Sequence, residues 1–569
     1  MAPNMAPNMA PFTIIITLLI GPVVAYLAWT FICLELNARE ARRIGIPYIR
    51  LPIDSNNVPW TIFRPFVWNL LDSLPFRWTS YPNFVRYSRR GWHFSDRSET
   101  HIRLGPVWAL VTPVTIYLHI ADADAIRDIF SRRADFVRPV KEYKLLEVYG
   151  PCISTAGWDD WSRHRKVLAA PFNESIMEFV WQESLRQARG MLRSWLSAGE
   201  MGIPSTQKDT RTLSLNVLAS TAFRKSYEFR GSADAQVDEV GDYRDSLQTV
   251  LDNIIPLMLF PYRILRGPLV PKRWARIGNA AASFQEHMTN ILREETTALE
   301  QGKPGSGGIM SAFVRALDTH SREVSTSAKK GLTEEEIYGN LFVINFAGHD
   351  TTANTLAFSI LLLAANPELQ DWISEEILEI TGDSKEWDYK ELFPLLKRCR
   401  PILLETLRLF PLIMALPKWT SRRAQTLKVG SQTLTIPPGV NTTLFLRAVQ
   451  SHPDYWPDPD TWKPSRWILR PASAKAQIRN EELLVPKQDT YFPWSDGPQN
   501  CPGKKFSEVE AVAVLACLFG RHRVHVKKKA QESDESARQR ALECTEDVNM
   551  ELLLKMTNAD QVTLICKAV

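Results

Sequence analysis

The sequence predicts a mainly α-helical protein with small β-sheets, one large unit preceded by an N-terminal transmembrane helix. Three observations carry this. An apolar run at 12–34 lies ahead of the first charged side chain, Glu35. Segments 121–130, 172–196, 275–299, 333–365, 367–380, 395–410 and 506–519 repeat apolar residues at helical spacing. β-branched and aromatic residues concentrate in a few short pieces only, at 107–112, 114–120, 426–437 and 560–567.

The 23 residues from 12 to 34 would reach about 34 Å as a helix, against a hydrocarbon core of about 30 Å. Gly21 and Pro22 are tolerated within a bilayer. Arg39, Arg42, Arg43 and Arg50 follow the run and none precedes it, so the bulk of the chain is expected on the cytosolic side. A secretory signal would carry a basic n-region and a small-residue cleavage site; an uncleaved anchor fits better. The expected organisation is a tail at 1–11, an anchor at 12–34, a basic and Pro-containing connector at 35–58, and one domain at 59–569. Pro113 marks a turn between the first two β-rich pieces. The polar stretches 301–308 and 527–546 read as surface loops.

A net charge of +5 on 68 basic and 63 acidic side chains is too even for a nucleic-acid binder. The seven cysteines, at 33, 152, 399, 501, 517, 544 and 566, are odd in number and lack metal-site or redox spacing. A reducing, cytosol-facing compartment is expected.

Cys501 stands apart. In FPWSDGPQNCPGKKF, at 492–506, a Gly- and Pro-rich loop delivers it to the start of an apolar helix, and Pro502 suits a first helical turn. Helix N-terminal amides favour the thiolate, and such a thiolate can donate charge to a haem iron. This stretch resembles the cytochrome P450 signature F-x-x-G-x-R-x-C-x-G. Gly497, Cys501 and Gly503 match it, whereas Trp494 replaces Phe and Gln499 replaces Arg.

Four further motifs follow the family's order. Ala347-Gly348-His349-Asp350-Thr351-Thr352 lies midway along the 333–365 helix, which opens with a capping-box pattern at Thr333 and Glu336. Read alone it is a polar kink; in the resemblance, Asp350 and Thr351 carry the proton relay of oxygen activation. Glu405 and Arg408 share a helix face, and Arg466, in Pro464-Ser465-Arg466-Trp467, supplies a second Arg to that structural cluster. Trp462 and Trp467 stand where Phe is usual. Trp161 and Arg165 lie one turn apart. Read alone they form an ordinary helix face; the resemblance makes them holders of a haem propionate, joined by Lys418.

The resemblance covers essentially the whole chain and implies the cytochrome P450 fold, with haem b bound through Cys501. It is to microsomal members, and among them to fungal enzymes of secondary metabolism. It implies a monooxygenase that inserts one atom of O2 into a lipophilic small molecule, with electrons from NADPH through a cytochrome P450 reductase. The expected location is the endoplasmic reticulum membrane, crossed once. Substrate contacts are expected at 149–158, 342–347 and 412–416, and Arg163, Lys166, Lys504 and Lys505 are expected to form a basic patch facing the reductase. Two rivals are a haem-thiolate isomerase or dehydratase that needs no O2, and a non-catalytic haem or gas-binding protein.

Overall fold

The apolar run lies within helix α1 (Ala10–Ile44), which continues past it. The computed structural model describes residues 10–569 apart from 56, 76–81, 225, 233–242, 304–306, 318–330, 385, 471–476, 487–488 and 551. The connector expected at 35–58 is therefore helical over its first turns. Leu34, Ala38, Ala41 and Ile44 recur at helical spacing and are buried, so this charged stretch is amphipathic. Strand β1 (Tyr48–Arg50) follows, and then helix α2 (Val58–Asp72), which Asn57 caps by accepting the Trp60 N–H.

The chain divides into two compact units, one comprising 1–138, 414–459 and 489–491 and the other 139–413, 460–488 and 492–569. The first unit is built on a five-stranded sheet. Strands β2 (Val107–Val111) and β3 (Ile116–Ile120) form a hairpin with Val107 opposite Ile120. Strand β4 (Leu416–Trp419) and strand β5 (Asn441–Leu444) complete the order β1-β2-β3-β5-β4. Every residue of β2 is buried, which explains why its sequence is continuously apolar rather than alternating. The β-rich piece at 426–437 is a hairpin of Gln425–Val429 and Gln432–Ile436, turned at Gly430 with φ +55°.

The second unit is helical. Its elements include α3 (Trp158–Ala169), α4 (Glu174–Ala198), α5 (Thr206–Phe223), α6 (Tyr243–Asp252), α7 (Lys272–Glu300), α8 (Glu334–Ala365), α9 (Cys399–Leu409) and α10 (Lys504–Phe519). Helix α8 packs against α5, α9 and α10. It is apolar on all sides, as a helix inside a core must be. Thr333 and Glu336 form the reciprocal capping box that starts it. A side chain at Gly339 would collide with the backbone of Gly150 and Pro151, so only glycine lets that segment lie on the helix.

Helix α5 escapes an apolar-periodicity reading because it buries Asn216, Ser220 and Thr221 alongside Leu213 and Val217. The stretch 527–546, expected as a loop, contains helix Asp534–Glu546. Ser533 caps it, and Ala537, Ala541 and Cys544 form a narrow buried stripe beneath its charged surface. Strands β6 (Val548–Met550) and β7 (Leu554–Met556) pair after it, and the β-rich end pairs as Leu564–Ala568 with His522–Val526.

Candidate active site

Cys501 sits three residues before α10, in a loop that its own backbone closes. Gly497 takes φ +68°, the Asn500 N–H donates to the Gly497 carbonyl at 3.1 Å, and the Cys501 N–H donates to the Trp494 carbonyl at 2.8 Å. The side chain is accessible on one side and enclosed by protein elsewhere. Burial raises the thiol pKa, while the Gly503 N–H and the Arg165 guanidinium pull it back. A β-carbon at Gly503 would stand 3.8 Å from Sγ, so glycine keeps the ground beside the sulfur clear. Trp494 donates from Nε1 to Ser507 Oγ at 3.0 Å, a bond that phenylalanine could not make.

Helix α3 braces this loop. Arg165 donates to the Asn500 carbonyl at 2.8 Å and to Asn500 Oδ1 at 2.6 Å. One turn earlier, Trp161 is buried. The opposite side of α3 is tied to the start of α8. There Arg163 donates to Glu336 Oε1 at 2.6 Å and Oε2 at 2.7 Å, and His164 Nδ1 lies 2.9 Å from Asn340 Nδ2. Asp160, His164 and Glu336 have the makings of a metal site, but Arg163 also bonds Asp160 at 2.9 Å and already neutralises both carboxylates. Arg163 is thus removed from the expected surface patch. Lys166, Lys504 and Lys505 are exposed, Lys505 paired with Glu174 and Lys504 5.4 Å over the Trp494 ring.

From Glu336 to Ala365, α8 is buried at every position except 346, 347, 348, 350 and 351. Ala347 is the most open of these, and Thr351 donates from Oγ1 to its carbonyl at 2.7 Å. Asp350 accepts from Arg211 Nε on α5 at 2.9 Å, and His349 Nδ1 lies 3.3 Å from the same Oδ1. Arg211 Nη2 also reaches Asp252 on α6 at 2.8 Å. Arg211 was missed by the sequence reading; a cation one turn from Lys208, in a helix with no apolar stripe, gives no local signal. These groups edge a cavity of ≈ 440 Å³ lined by Gln207, Arg211, Phe346, Asp350 and the turn between β6 and β7.

Glu405 and Arg408 are fully buried, and the guanidinium donates from Nε and Nη2 to the two carboxylate oxygens at 2.9 Å each. Glu405 also accepts from Arg466 Nε at 3.0 Å, the Lys463 N–H at 2.9 Å and Trp467 Nε1 at 2.8 Å. Trp462 Nε1 donates to Thr406 Oγ1 at 3.2 Å. The two Trp replacements thus add indole donors to the cluster. Lys418 lies in the other unit, on β4, where its ammonium is buried over the Phe130 ring and its pKa is lowered to about 8, chiefly by burial and further by Arg138.

An accessible sulfur at a helix start, a glycine-cleared flank and an adjacent guanidinium fit a bulky iron-bearing group. Comparisons with known proteins agree. The chain is 28% identical to a cytochrome P450 monooxygenase of Arthrobotrys oligospora, over 94% of this chain and 95% of that one. It is 26% identical to a cytochrome P450 monooxygenase of Penicillium roqueforti, over 85% and 87%. It is 27% identical to the phomenoic acid biosynthesis cluster cytochrome P450 monooxygenase of Leptosphaeria maculans, over 85% and 88%. The cytochrome P450 family profile matches residues 73–547, and the chain belongs to that family.

Proposed function

We propose that this protein is a haem-thiolate monooxygenase that inserts one atom of O2 into a lipophilic organic molecule. Its electrons come from NADPH through a partner reductase, and its place is a fungal secondary-metabolite pathway, as the names of its relatives suggest. Helix α1 anchors it in the endoplasmic reticulum membrane with the remainder facing the cytosol. The observation that carries the reading is the interruption of burial on α8: a core helix opens at 346–348, 350 and 351, where the acid and the hydroxyl stand.

Family membership implies a haem with a cysteine thiolate ligand. Cys501 is that ligand in this reading, with Gly497 shaping its loop and Gly503 clearing its flank. Trp161 and Arg165 hold a propionate edge. When bound, haem supplies the iron chemistry that activates dioxygen, and a thiolate ligand favours O–O cleavage.

The chain's own residues manage protons. Thr351 donates to the Ala347 carbonyl, which leaves its oxygen free to accept from a neighbour. Asp350 borders the polar cavity and can exchange protons with water there. Its Oδ1 accepts from Arg211 Nε, so delivery toward Thr351 needs that pair to loosen. Arg211 therefore acts as a positioning residue for Asp350. Tyr149 and Phe342, which fall in two of the segments expected to contact a lipophilic substrate, pack with Phe284 in a buried aromatic cluster, with Tyr149 ring centroids 5.4 Å and 5.3 Å from Phe284 and Phe342.

Reductase-dependent NADPH consumption, raised several-fold by a lipophilic substrate and matched by an oxygenated product, is the expected result. Product formed without O2 or NADPH would instead indicate an isomerase or dehydratase. Haem and gas binding with no turnover would indicate a non-catalytic protein.

A further inference from the structure

His349 is fully buried on α8, and both of its ring nitrogens face oxygen. Nε2 lies 3.1 Å from the backbone carbonyl of Arg211 on α5. Nδ1 lies 3.3 Å from Asp350 Oδ1 and has no other partner among the described residues. Carbonyl and carboxylate oxygens only accept, whereas a neutral imidazole donates from one nitrogen and accepts at the other. Whichever nitrogen carries the one proton of the neutral ring, the other turns a lone pair on an oxygen. An imidazolium donates to both. Charge points the same way. Asp350 and Asp252 share a single guanidinium, that of Arg211, and one further proton makes this group even.

We propose that His349 stores a proton for Asp350 and, by handing it over, releases Asp350 from Arg211. The proposal rests on the reading of Asp350 as a proton donor, and His349 acts only through it, as a positioning residue. The Nδ1–H bond breaks as an Oδ1–H bond forms, and the electron pair left behind stays on Nδ1. Asp350 becomes a neutral acid and its attraction to Arg211 falls, while the guanidinium keeps its 2.8 Å bond to Asp252 on α6. The acid is then free to turn toward Thr351. After delivery the carboxylate takes a proton from water in the adjoining cavity and returns it to His349. Burial lowers the pKa of His349, Asp350 and Asp252 pull it up, and Arg211 pushes it down; the net direction is down, so the stored proton is held loosely. Arg273 on α7 and Lys555 on β7, the other charged groups lining that cavity, also favour its release.

The test uses the full haem-loaded chain in phosphatidylcholine vesicles, with nitrogen-15 histidine, followed by solid-state NMR from about pH 5.5 to about pH 8. His349 is assigned by the ring resonances lost in His349→Gln, or by those that shift in Asp350→Asn should the first variant not fold. The expected result is a ring protonated on both nitrogens at the acid end that has lost one proton at the alkaline end. Oxygenated product per NADPH should fall several-fold over the same interval in the unaltered protein. In His349→Gln it should be low and flat across it. A His349 ring that is neutral at the acid end would overturn the inference. So would a His349→Gln variant that keeps the yield and the pH profile of the unaltered protein. Absence of any O2-dependent product from the unaltered protein would instead overturn the reading of the site, and the storage role with it.

Discussion

Arg211 and Asp350 form an ion pair at 2.9 Å between two helices, and the same guanidinium reaches Asp252 on a third. Asp350 is therefore restrained by a residue 139 positions away. If Asp350 moves protons, changing either partner must disturb proton delivery before it disturbs binding. Asp350→Asn should lower turnover by about 10²-fold, the scale of a lost acid–base group. Arg211→Ala should lower it by roughly 10-fold, and Arg211→Lys should recover part of that loss. Asp350→Asn and Arg211→Ala should each raise the solvent deuterium isotope effect and the peroxide released per NADPH. A variant with unchanged isotope effect and coupling would place the pair outside the reaction.

Trp467 tests whether the aromatic departures from the family pattern are structural gains. Its indole N–H donates to buried Glu405, and hydrogen bonds to charged groups contribute about 1.5–3 kcal/mol. Trp467→Phe should destabilise the fold by about that much in denaturant unfolding. Glu405→Ala should cost more, roughly 3–5 kcal/mol, because two buried guanidinium partners lose their carboxylate. A neutral Trp467→Phe change would show the indole bond to be incidental.

In the first unit, buried His101 and His119 and half-buried His93 pack among Trp92, Trp108 and Phe445, and desolvation lowers their pKa values, those of His93 and His101 to about 3. The unfolded chain binds these protons near pH 6.5 and the folded chain does not. Their contribution to stability is present above that pH and is lost as pH falls from 6.5 towards 3. Each can remove about 1.4 kcal/mol per pH unit over that window. His119→Phe keeps the stacking on Trp108, 4.6 Å between centroids, without the titration. It should lower the midpoint of acid unfolding, followed by tryptophan fluorescence; an unmoved midpoint would contradict the assignment.

Glu510, in α10, works in the opposite direction. Burial raises its pKa to about 8 against a modest pull from Ser214. The folded state holds this proton between pH 4.5 and 8 and the unfolded state does not. Stability from Glu510 is full below pH 4.5 and declines as pH rises to 8. Glu510→Gln should flatten that alkaline decline in thermal melts recorded from pH 5 to 9. An equally steep decline in the variant would assign it to other groups.

Much of this was legible in the sequence because the relevant chemistry is local. Thr333 and Glu336 announce the start of α8 by a capping box, and Gly497 and Gly503 announce the cysteine loop by their spacing. Glu405 and Arg408 lie one turn apart in an apolar helix, so their burial together follows from pattern alone. What escaped depends on distant partners. Arg163 reads as a surface cation, yet Glu336, 173 positions later, buries it. Arg211 becomes notable only once α5 is laid against α8. Helix Asp534–Glu546 was hidden because only four small side chains of a charged stretch, Ala537, Ala541, Cys544 and Thr545, are buried.

The most direct test of the central claim is the carbon-monoxide difference spectrum of the dithionite-reduced full-length protein, recorded beside Cys501→Ala. A strongly red-shifted Soret band that disappears in the variant is the predicted result and assigns Cys501 as the thiolate ligand. A band typical of histidine or neutral-thiol ligation in the unaltered protein, or a red-shifted band that survives the substitution, would contradict it.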